Sequence, residues 1–155
     1  MTVFHKIALS LGGDLGDTEK YFDFACCKLA EAGVSALVRS SLYRTKPVGC
    51  EPGTPDFFNC AVTGLWQGSA LELLRVTQKI ERDAGRPEIH SSRQARTLDC
   101  DLILFDETTL DLPELKIPHP RAKLRRFVLE PLAEIAPFWR FPDGESVADA
   151  LKKVL

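Results

Sequence analysis

The sequence lacks the features that mark several protein classes. It contains no long uncharged apolar run, no low-complexity segment and no internal repeat, which argues against a membrane span, a disordered linker and a repeat array. Its 20 Lys and Arg residues are outnumbered by 22 Asp and Glu residues, so a net charge of −2 provides no global field that would attract nucleic acid. We therefore expect a globular protein that binds neither nucleic acid nor a membrane.

Cysteine is present without any recognisable pairing pattern. The five cysteines include no CxxC pair and no zinc-ligand spacing, and most of them lie in apolar stretches, so we interpret them as small core residues. The N-terminus has neither the apolar region nor the cleavage site of a signal peptide, and we expect a cytoplasmic location. A length of 155 residues fits a single domain over 1–155, which we expect to be monomeric.

Hydrophobic patterning predicts the element order β-α-β-β-α-β with a C-terminal extension. One helix is predicted to end at Gly33, and the next to begin at a capping box formed by Ser69 and Glu72. A further helix, 128–135, tolerates Pro131 only in its first turn. The predicted strands are 7–11, 34–43, 57–66 and 98–105, followed by a hairpin of 108–112 with 115–117 and a last helix at 146–155.

This order is typical of an α+β fold with a ferredoxin-like antiparallel sheet. In that fold, helices pack on one face of the sheet and the other face is free for a ligand. An open parallel α/β sheet is the second choice. Residues 47–55 and 86–98 have loop character, and we expect mobile loops over the active site. Gly12 and Gly13 are predicted to form a tight turn, because they fit neither the Walker pattern nor the dinucleotide pattern.

The most informative pattern is a pair of carboxylates in an apolar strand. Asp99 and Asp101 are two residues apart, so their side chains share one face of the strand. Two such charges need compensation, and a hard cation such as Mg²⁺ that also binds phosphate is the natural candidate. The alternative is a strand edge on which both carboxylates are solvated or paired with arginine.

Basic residues cluster on both sides of this pair in the sequence, although the chain has no net positive charge. Guanidinium groups bind phosphate oxygens, and a loop that carries several could close over a polyphosphate. A solvated surface loop is the alternative. His119, held between two prolines, is a further candidate to contact a nucleotide. The basic clusters are Arg82, Arg86, Arg93 and Arg96 before the aspartate pair, and Arg121, Lys123, Arg125 and Arg126 after the pair.

Several strings of the sequence together resemble the 6-hydroxymethyl-7,8-dihydropterin pyrophosphokinase family of folate biosynthesis. The resemblance spans nearly the whole chain, and its most specific part is the Arg-Thr-Leu-Asp-x-Asp string with its spacing to Pro-His. The strings are Gly12–Asp17, Ser41–Gly49, Pro55–Val62, Arg96–Phe105, Pro118–Pro120 and Phe127–Leu132.

The resemblance implies an enzyme that transfers a pyrophosphoryl group from ATP to the pterin hydroxymethyl oxygen and releases AMP. It implies that Asp99 and Asp101 hold two Mg²⁺ ions and that Arg86 and Arg96 grip the phosphates. The residues implied to bind the pterin are Thr45, Pro47, Val48, Phe57, Asn59 and Phe127. Those implied to contact the nucleotide are Gln78, Glu81, Arg93, Leu102, His119 and Arg125.

The chain also departs from the family pattern in the basic loop. Glu88 stands where the family commonly has an arginine, and the tryptophan that helps to seal the closed loop is missing from 92–95. A non-catalytic or weakly active pterin- or nucleotide-binding module on the same fold therefore remains as the alternative function. An RNA-binding domain of this fold is disfavoured by the negative net charge and by the lack of a basic and aromatic sheet pattern.

Overall fold

The computed structural model describes residues 3–13, 18–45, 56–84 and 98–155, which form strands and helices. The strands are β1 (His5–Gly13), β2 (Ser35–Arg39), β3 (Tyr43–Thr45), β4 (Phe57–Trp66), β5 (Asp99–Phe105), β6 (Leu110–Leu112) and β7 (Leu115–Ile117). The helices are α1 (Thr18–Ala32), α2 (Ala70–Asp83), α3 (Arg126–Ile135) and α4 (Val147–Lys152). No helix in the described part of the chain is long and apolar enough to cross a membrane.

The main sheet is antiparallel throughout and has the order β2-β4-β1-β5, with β3 pairing β4 as well. This arrangement confirms the predicted α+β fold, and the parallel alternative is wrong. A separate two-stranded sheet joins β6 to β7, which confirms the predicted hairpin. The register sets residues of β4, β1 and β5 directly opposite one another, so side chains from three strands share each row.

One face of the sheet carries α1 and α2, as predicted. Leu9, Leu11 and Val62 from the strands pack there against apolar side chains of the two helices, including Phe22 and Leu73. The capping box at the start of α2 is present: the Ser69 hydroxyl accepts the Glu72 N–H, and the Glu72 carboxylate accepts the Ser69 N–H. Burial of apolar side chains on this face therefore holds β1, β4 and β5 in place against the two helices.

The opposite face is partly covered by the C-terminal elements, which the sequence pattern did not place. Ala8 and Ala61 pack there against Leu129 and Leu132 of α3 and Val147 of α4. Small side chains on the strands allow these helices to approach the sheet closely. The face predicted to be free for a ligand is thus open only beyond α3, where β1 ends and β5 begins.

Several local predictions differ from the structure. The last helix, predicted over 146–155, spans only Val147–Lys152. Gly12 and Gly13 do not form a turn, because the ladder between β1 and β4 continues through both of them. The predicted strand 34–43 is divided into two, because the Ser40 hydroxyl accepts the Ala61 N–H where a backbone carbonyl would continue the ladder. The helix predicted to start at 128 begins earlier, so Pro131 lies in its second turn rather than its first.

The cysteines fit the core interpretation only in part. Cys60 and Cys100 are buried, and burial raises the pKa of the Cys60 thiol to about 12. Cys26 is half-buried, whereas Cys27 is exposed and is therefore not a core residue. Cys50 lies outside the described residues.

Candidate active site

Two rows of side chains at the open end of the sheet bring polar groups from three strands together. Gly12 of β1 lies between Asn59 of β4 and Asp99 of β5, and in the next row Ser10 lies opposite Asp101. Since residues in one row or two apart on a strand share a face, both carboxylates and the amide point to the same side of the sheet. The predicted common orientation of Asp99 and Asp101 is therefore confirmed.

A cavity of about 130 Å³ lies over these rows and has aromatic side chains in its lining. Phe57 of β4 and Phe127 of α3 both line it, although 70 residues separate them in the sequence. Arg125 also lines it, with its guanidinium carbon 5.5 Å from the centre of the Phe127 ring. The remaining lining residues are Ser10, Gly12, Asn59, Asp99, Asp101 and Val128.

Asn59 is buried in this cavity with an unsatisfied polar atom. Its side chain is only 2% exposed, and its Oδ1 has no hydrogen-bond partner within the described ranges. A buried amide oxygen without a partner costs free energy, so its presence in an apolar strand indicates a site for a ligand donor. Gly12 makes room beside it: a Cβ at position 12 would lie 3.0 Å from Asn59 Nδ2 and 3.1 Å from the Phe57 ring.

A second cavity of about 270 Å³ lies on the other side of Asp101, between β5 and the β6–β7 hairpin. Asp101 lines both cavities, so the carboxylate pair stands where they meet. Leu102 and His119 line the second cavity, which brings two of the predicted nucleotide contacts beside Asp101. Basic and acidic groups of the hairpin, Lys116 and Glu114, line it as well.

The ring of His119 has a defined tautomer and a lowered pKa. Its Nδ1 accepts the backbone N–H of Arg121 at 3.3 Å, so a neutral ring carries its proton on Nε2. Burial lowers the pKa of His119 below 6.5, the charge of Asp101 raises it, and Arg125 and Arg121 lower it again. The ring is therefore a neutral hydrogen-bond donor at pH 7.

The second basic cluster does not act as one unit. Arg125 lines the first cavity, but Lys123 is bound to Asp143 and to Glu145, which lie near the C-terminus. Arg126 forms an ion pair with Glu130 one turn further along α3. Fewer cations of this cluster face the site than the sequence suggests, because neighbouring side chains on a turn and a helix point in different directions.

Two predicted nucleotide contacts lie on α2. Gln78 accepts a hydrogen bond from Arg75, which also pairs with Glu114 of the hairpin. Glu81 accepts the backbone N–H of Cys100 at 3.0 Å, on the outer edge of β5. The Glu81 bond ties α2 to the strand that carries the two aspartates, and the Arg75–Glu114 pair ties it to the hairpin.

The remaining predicted site residues are only partly covered by the structure. Thr45 lies at the end of β3 and lines a neighbouring cavity together with Phe127. The expected mobile loops, and within them Pro47, Val48, Arg86, Arg93 and Arg96, lie outside the described residues. Sequence reasoning missed the roles of Ser10, Gly12 and Val128 in lining the first cavity, since only strand pairing and helix docking bring them there.

The two aspartates fit the requirements of a magnesium site completed by phosphate. In the part of the chain that the structure describes, no group of three or more His, Cys, Asp or Glu side chains could hold a metal alone. Mg²⁺ is commonly held by one or two carboxylates, with the other positions filled by substrate phosphates and water. A pair of carboxylates at the junction of two cavities matches that pattern.

Comparison with known proteins identifies the family. The family model described as 7,8-dihydro-6-hydroxymethylpterin-pyrophosphokinase matches residues 8–137. The chain belongs to this pyrophosphokinase family. It is 38% identical over 152 residues to the 2-amino-4-hydroxy-6-hydroxymethyldihydropteridine pyrophosphokinase of Synechocystis, covering 97% of this chain and 76% of that protein. The pyrophosphokinase of the same name from Pseudomonas aeruginosa is 35% identical over 151 residues, covering 96% and 91% of the two chains.

A solved structure supports the pyrophosphokinase fold. The chain is similar to wild-type HPPK-DHPS from Plasmodium falciparum, solved with pteroate, with a TM-score of 0.75. The similarity covers 99% of this chain and 43% of that one at 14% identity, so it bears on the fold alone. The family resemblance inferred from the sequence strings is thus confirmed.

Proposed function

We propose that this chain transfers a pyrophosphoryl group from ATP to the hydroxymethyl oxygen of 6-hydroxymethyl-7,8-dihydropterin in folate biosynthesis, and that the two cavities are its substrate sites. One observation carries the assignment of the cavities: Asp101 lines both of them, with Asp99 beside it in the first. A reaction between two substrates needs their reacting groups to meet, and a charged phosphate needs compensation at that point. The junction at the aspartates offers both.

The aromatic cavity suits a flat heterocycle. Phe57 and Phe127 provide apolar faces for stacking, and the Asn59 amide can both donate and accept hydrogen bonds at the edge of a pterin. The Asn59 Oδ1, which has no partner among the described residues, supports this assignment, because a pterin amino or ring N–H would satisfy it. Thr45, Pro47 and Val48 complete the proposed pterin site from the adjacent strand and the segment that follows it.

The second cavity suits the nucleotide. We assign the contacts of the nucleotide to Leu102 and His119 in this cavity, to Gln78 and Glu81 on α2, and to Arg125 in the first cavity, with Arg93 from the segment 85–97. His119, as a neutral donor beside Asp101, can bond a phosphate oxygen without adding charge. Arg86 and Arg96 are proposed to bind the phosphates as charge develops during transfer.

In the reaction, the pterin hydroxymethyl oxygen forms a bond to the β-phosphorus of ATP and loses its proton. The bond between the β-phosphorus and the oxygen that bridges it to the α-phosphorus breaks, and AMP leaves. Asp99 and Asp101 would hold two Mg²⁺ ions, which neutralise phosphate charge when bound. The residues of the chain align the two substrates and exclude water from the junction.

We also propose that residues 1–155 form a single monomeric domain. The cores on the two faces share the strands β1, β4 and β5, which supports one folding unit. No observation on the described residues favours the non-catalytic alternative over the enzyme.

Titration with a non-hydrolysable ATP analogue tests the proposal. We expect binding to require Mg²⁺ and to weaken by about 100-fold or more in Asp99→Ala and Asp101→Ala, because each change removes a charge that the metal needs. Asp23→Asn is the control, since Asp23 lies on α1 and pairs with Arg39 at the other face. Unchanged analogue affinity in both alanine variants, with or without Mg²⁺, would refute the assignment.

A further inference from the structure

We propose that Glu134 is a positioning residue that holds Phe127 in place over the pterin cavity by joining α3 to the edge of the sheet. This inference rests on the proposed function and adds to it a residue that lies outside both cavities. The Glu134 carboxylate accepts three hydrogen bonds from the segment before β3 and from β3 itself. The donors are the Ser41 N–H at 3.0 Å, the Ser41 hydroxyl at 2.6 Å and the Tyr43 hydroxyl at 2.7 Å.

The link connects two elements that both reach the pterin cavity. Glu134 and Phe127 are seven residues apart on α3, which places them on the same side of the helix two turns from each other. Tyr43 and Thr45 are two residues apart on β3 and lie opposite Asn59 and Phe57 of β4. A shift of α3 relative to β3 would therefore move Phe127 relative to Phe57 and Asn59.

A cavity lies between the two elements. Tyr43 and Thr45 from β3 and Phe127 from α3 line the same cavity of about 280 Å³. Phe127 lines both this cavity and the pterin cavity, so two cavities border its side chain in the part of the chain that the structure describes. An aromatic side chain with open space behind it depends on its backbone for its position.

The helix itself is weakened between Phe127 and Glu134. Pro131 has no N–H, so the Phe127 carbonyl lacks the hydrogen bond that residue 131 would normally donate in a helix. An external tie near the C-terminal end of α3 compensates for that missing bond. The three donors to Glu134 provide such a tie, in addition to the packing of Leu129 and Leu132 against the sheet.

The charge of Glu134 strengthens this tie. The hydrogen bonds from the Ser41 and Tyr43 hydroxyls lower the pKa of Glu134, so the carboxylate is ionised at neutral pH. Burial, together with the bond to Glu134, raises the pKa of Tyr43 to about 12. All three hydrogen bonds therefore have an ionised acceptor, which makes them stronger than neutral ones.

The nucleotide cavity offers an internal control. It is lined by residues of α2, β5, the β6–β7 hairpin and the Pro118–Pro120 segment, and by none from β3 or α3. Of the nucleotide contacts assigned above, Arg125 alone adjoins α3. Loosening of α3 against β3 should therefore change pterin binding much more than nucleotide binding. A general loss of stability would weaken both.

The experiment compares Glu134→Ala, Glu134→Gln and wild type by separate titrations with the pterin substrate and with an ATP analogue plus Mg²⁺. For Glu134→Ala we expect Kd and KM for the pterin to rise about tenfold. A tenfold rise of Kd corresponds to a loss of roughly 1.4 kcal/mol of binding free energy. The analogue Kd should stay within about twofold. Glu134→Gln should show a smaller rise, because its amide oxygen still accepts from the hydroxyls but its NH₂ cannot accept the Ser41 N–H.

Glu130→Gln is the matched control, since it removes the same charge from the same helix and its partner Arg126 lies within that helix. It should bind the pterin like wild type. If Glu134→Ala does not fold, Tyr43→Phe and Ser41→Ala each remove one donor and should raise the pterin Kd by roughly two- to threefold. Unchanged pterin affinity, or an equal loss for both ligands, would overturn the role of Glu134. A wild-type protein that binds the pterin but releases no AMP would contradict the proposed function alone.

Discussion

Asn59 shows most clearly how the site conflicts with the stability of the fold. It occupies an inward-facing position of a mostly buried strand, and its side-chain oxygen is unpartnered among the described residues. Polar groups in such positions lower the free energy of unfolding unless a ligand pairs with them. The same atom that the free protein leaves unsatisfied is the one that a pterin donor would reach.

Replacement of Asn59 by leucine should therefore separate stability from binding. We expect Asn59→Leu to leave the free energy of unfolding unchanged or to raise it by up to about 1 kcal/mol, because the substitution removes the unsatisfied amide. Pterin affinity should fall by about 100-fold. Urea denaturation and pterin titration measure the two effects. Ser40→Ala is the control of opposite sign, since it strips the Ala61 N–H of its acceptor and should cost stability. A less stable Asn59→Leu protein with normal pterin affinity would contradict this interpretation.

His119 provides a prediction about pH. Its pKa is lowered mainly by burial and is held up by the charge of Asp101, so its titration by NMR in the metal-free protein should lie below 6.5. Asp101→Asn should lower the pKa further, whereas Arg121→Gln should raise it. Because the unfolded chain takes up this proton first, the contribution of His119 to stability is present above pH 6.5 and decreases as the pH falls below it. A His119 pKa above 6.5, or one that rises in Asp101→Asn, would be inconsistent with these surroundings.

At the residue scale, the family resemblance predicted the aromatic pair, the amide and the carboxylates, and the structure brings them around one cavity. It could not predict Ser10 or Gly12, whose part depends on which residues of β4 and β5 lie opposite them. Glycine has no side chain, and a single serine hydroxyl is too common in sequences to mark a site. Strand register is a property of the folded sheet rather than of a local string.

The elements follow the sequence pattern closely wherever burial alone decides them. β4 has the predicted bounds, because an apolar run there is limited by a proline-rich segment before it and by the capping box of α2 after it. The predicted strand 34–43 is divided because one hydroxyl, that of Ser40, replaces a backbone acceptor. α3 includes Arg126 and Phe127 and so begins two residues before the predicted start, which places Pro131 in its second turn. Single polar groups and prolines decide such boundaries, and periodicity does not detect them.

The β1 strand should respond strongly to a single methyl group. Gly12→Ala would place a Cβ 3.0 Å from Asn59 Nδ2 and 3.1 Å from the Phe57 ring, so both side chains must shift. We expect pterin affinity to fall by about tenfold or more, with the affinity for an ATP analogue little changed, since a misplacement of this size disrupts an aligned site. Calorimetric titration of both ligands measures the difference.

Gly144→Ala is the comparison for that variant. Gly144 has a φ of +92°, so alanine there strains the backbone. Among the described residues, no heavy atom lies within 4 Å of an added Cβ, so the methyl group itself meets no clash. It should reduce stability without reducing pterin affinity. Gly12→Ala protein that binds the pterin as wild type does would show that the cavity does not need the space beside Asn59.

For the whole molecule, the arrangement of helices on the sheet determines where the site lies. α1 and α2 pack on one face, and α3 and α4 cover part of the other, so the polar rows of β1, β4 and β5 line a cavity at one end. The sequence predicted the fold and the first pair of helices from the β-α-β-β-α-β order. It did not predict that α3 would dock on the ligand face, because the apolar stripe of a helix does not specify which surface it packs against.

Substrates in the two cavities should react at the aspartates that lie between them. Product analysis after incubation of the protein with Mg²⁺-ATP and 6-hydroxymethyl-7,8-dihydropterin shows whether they do. We expect AMP and the pyrophosphorylated pterin in equal amounts, no ADP, and loss of both products in Asp99→Ala and Asp101→Ala. Formation of ADP, or AMP release that persists in both aspartate variants, would rule out this reaction site.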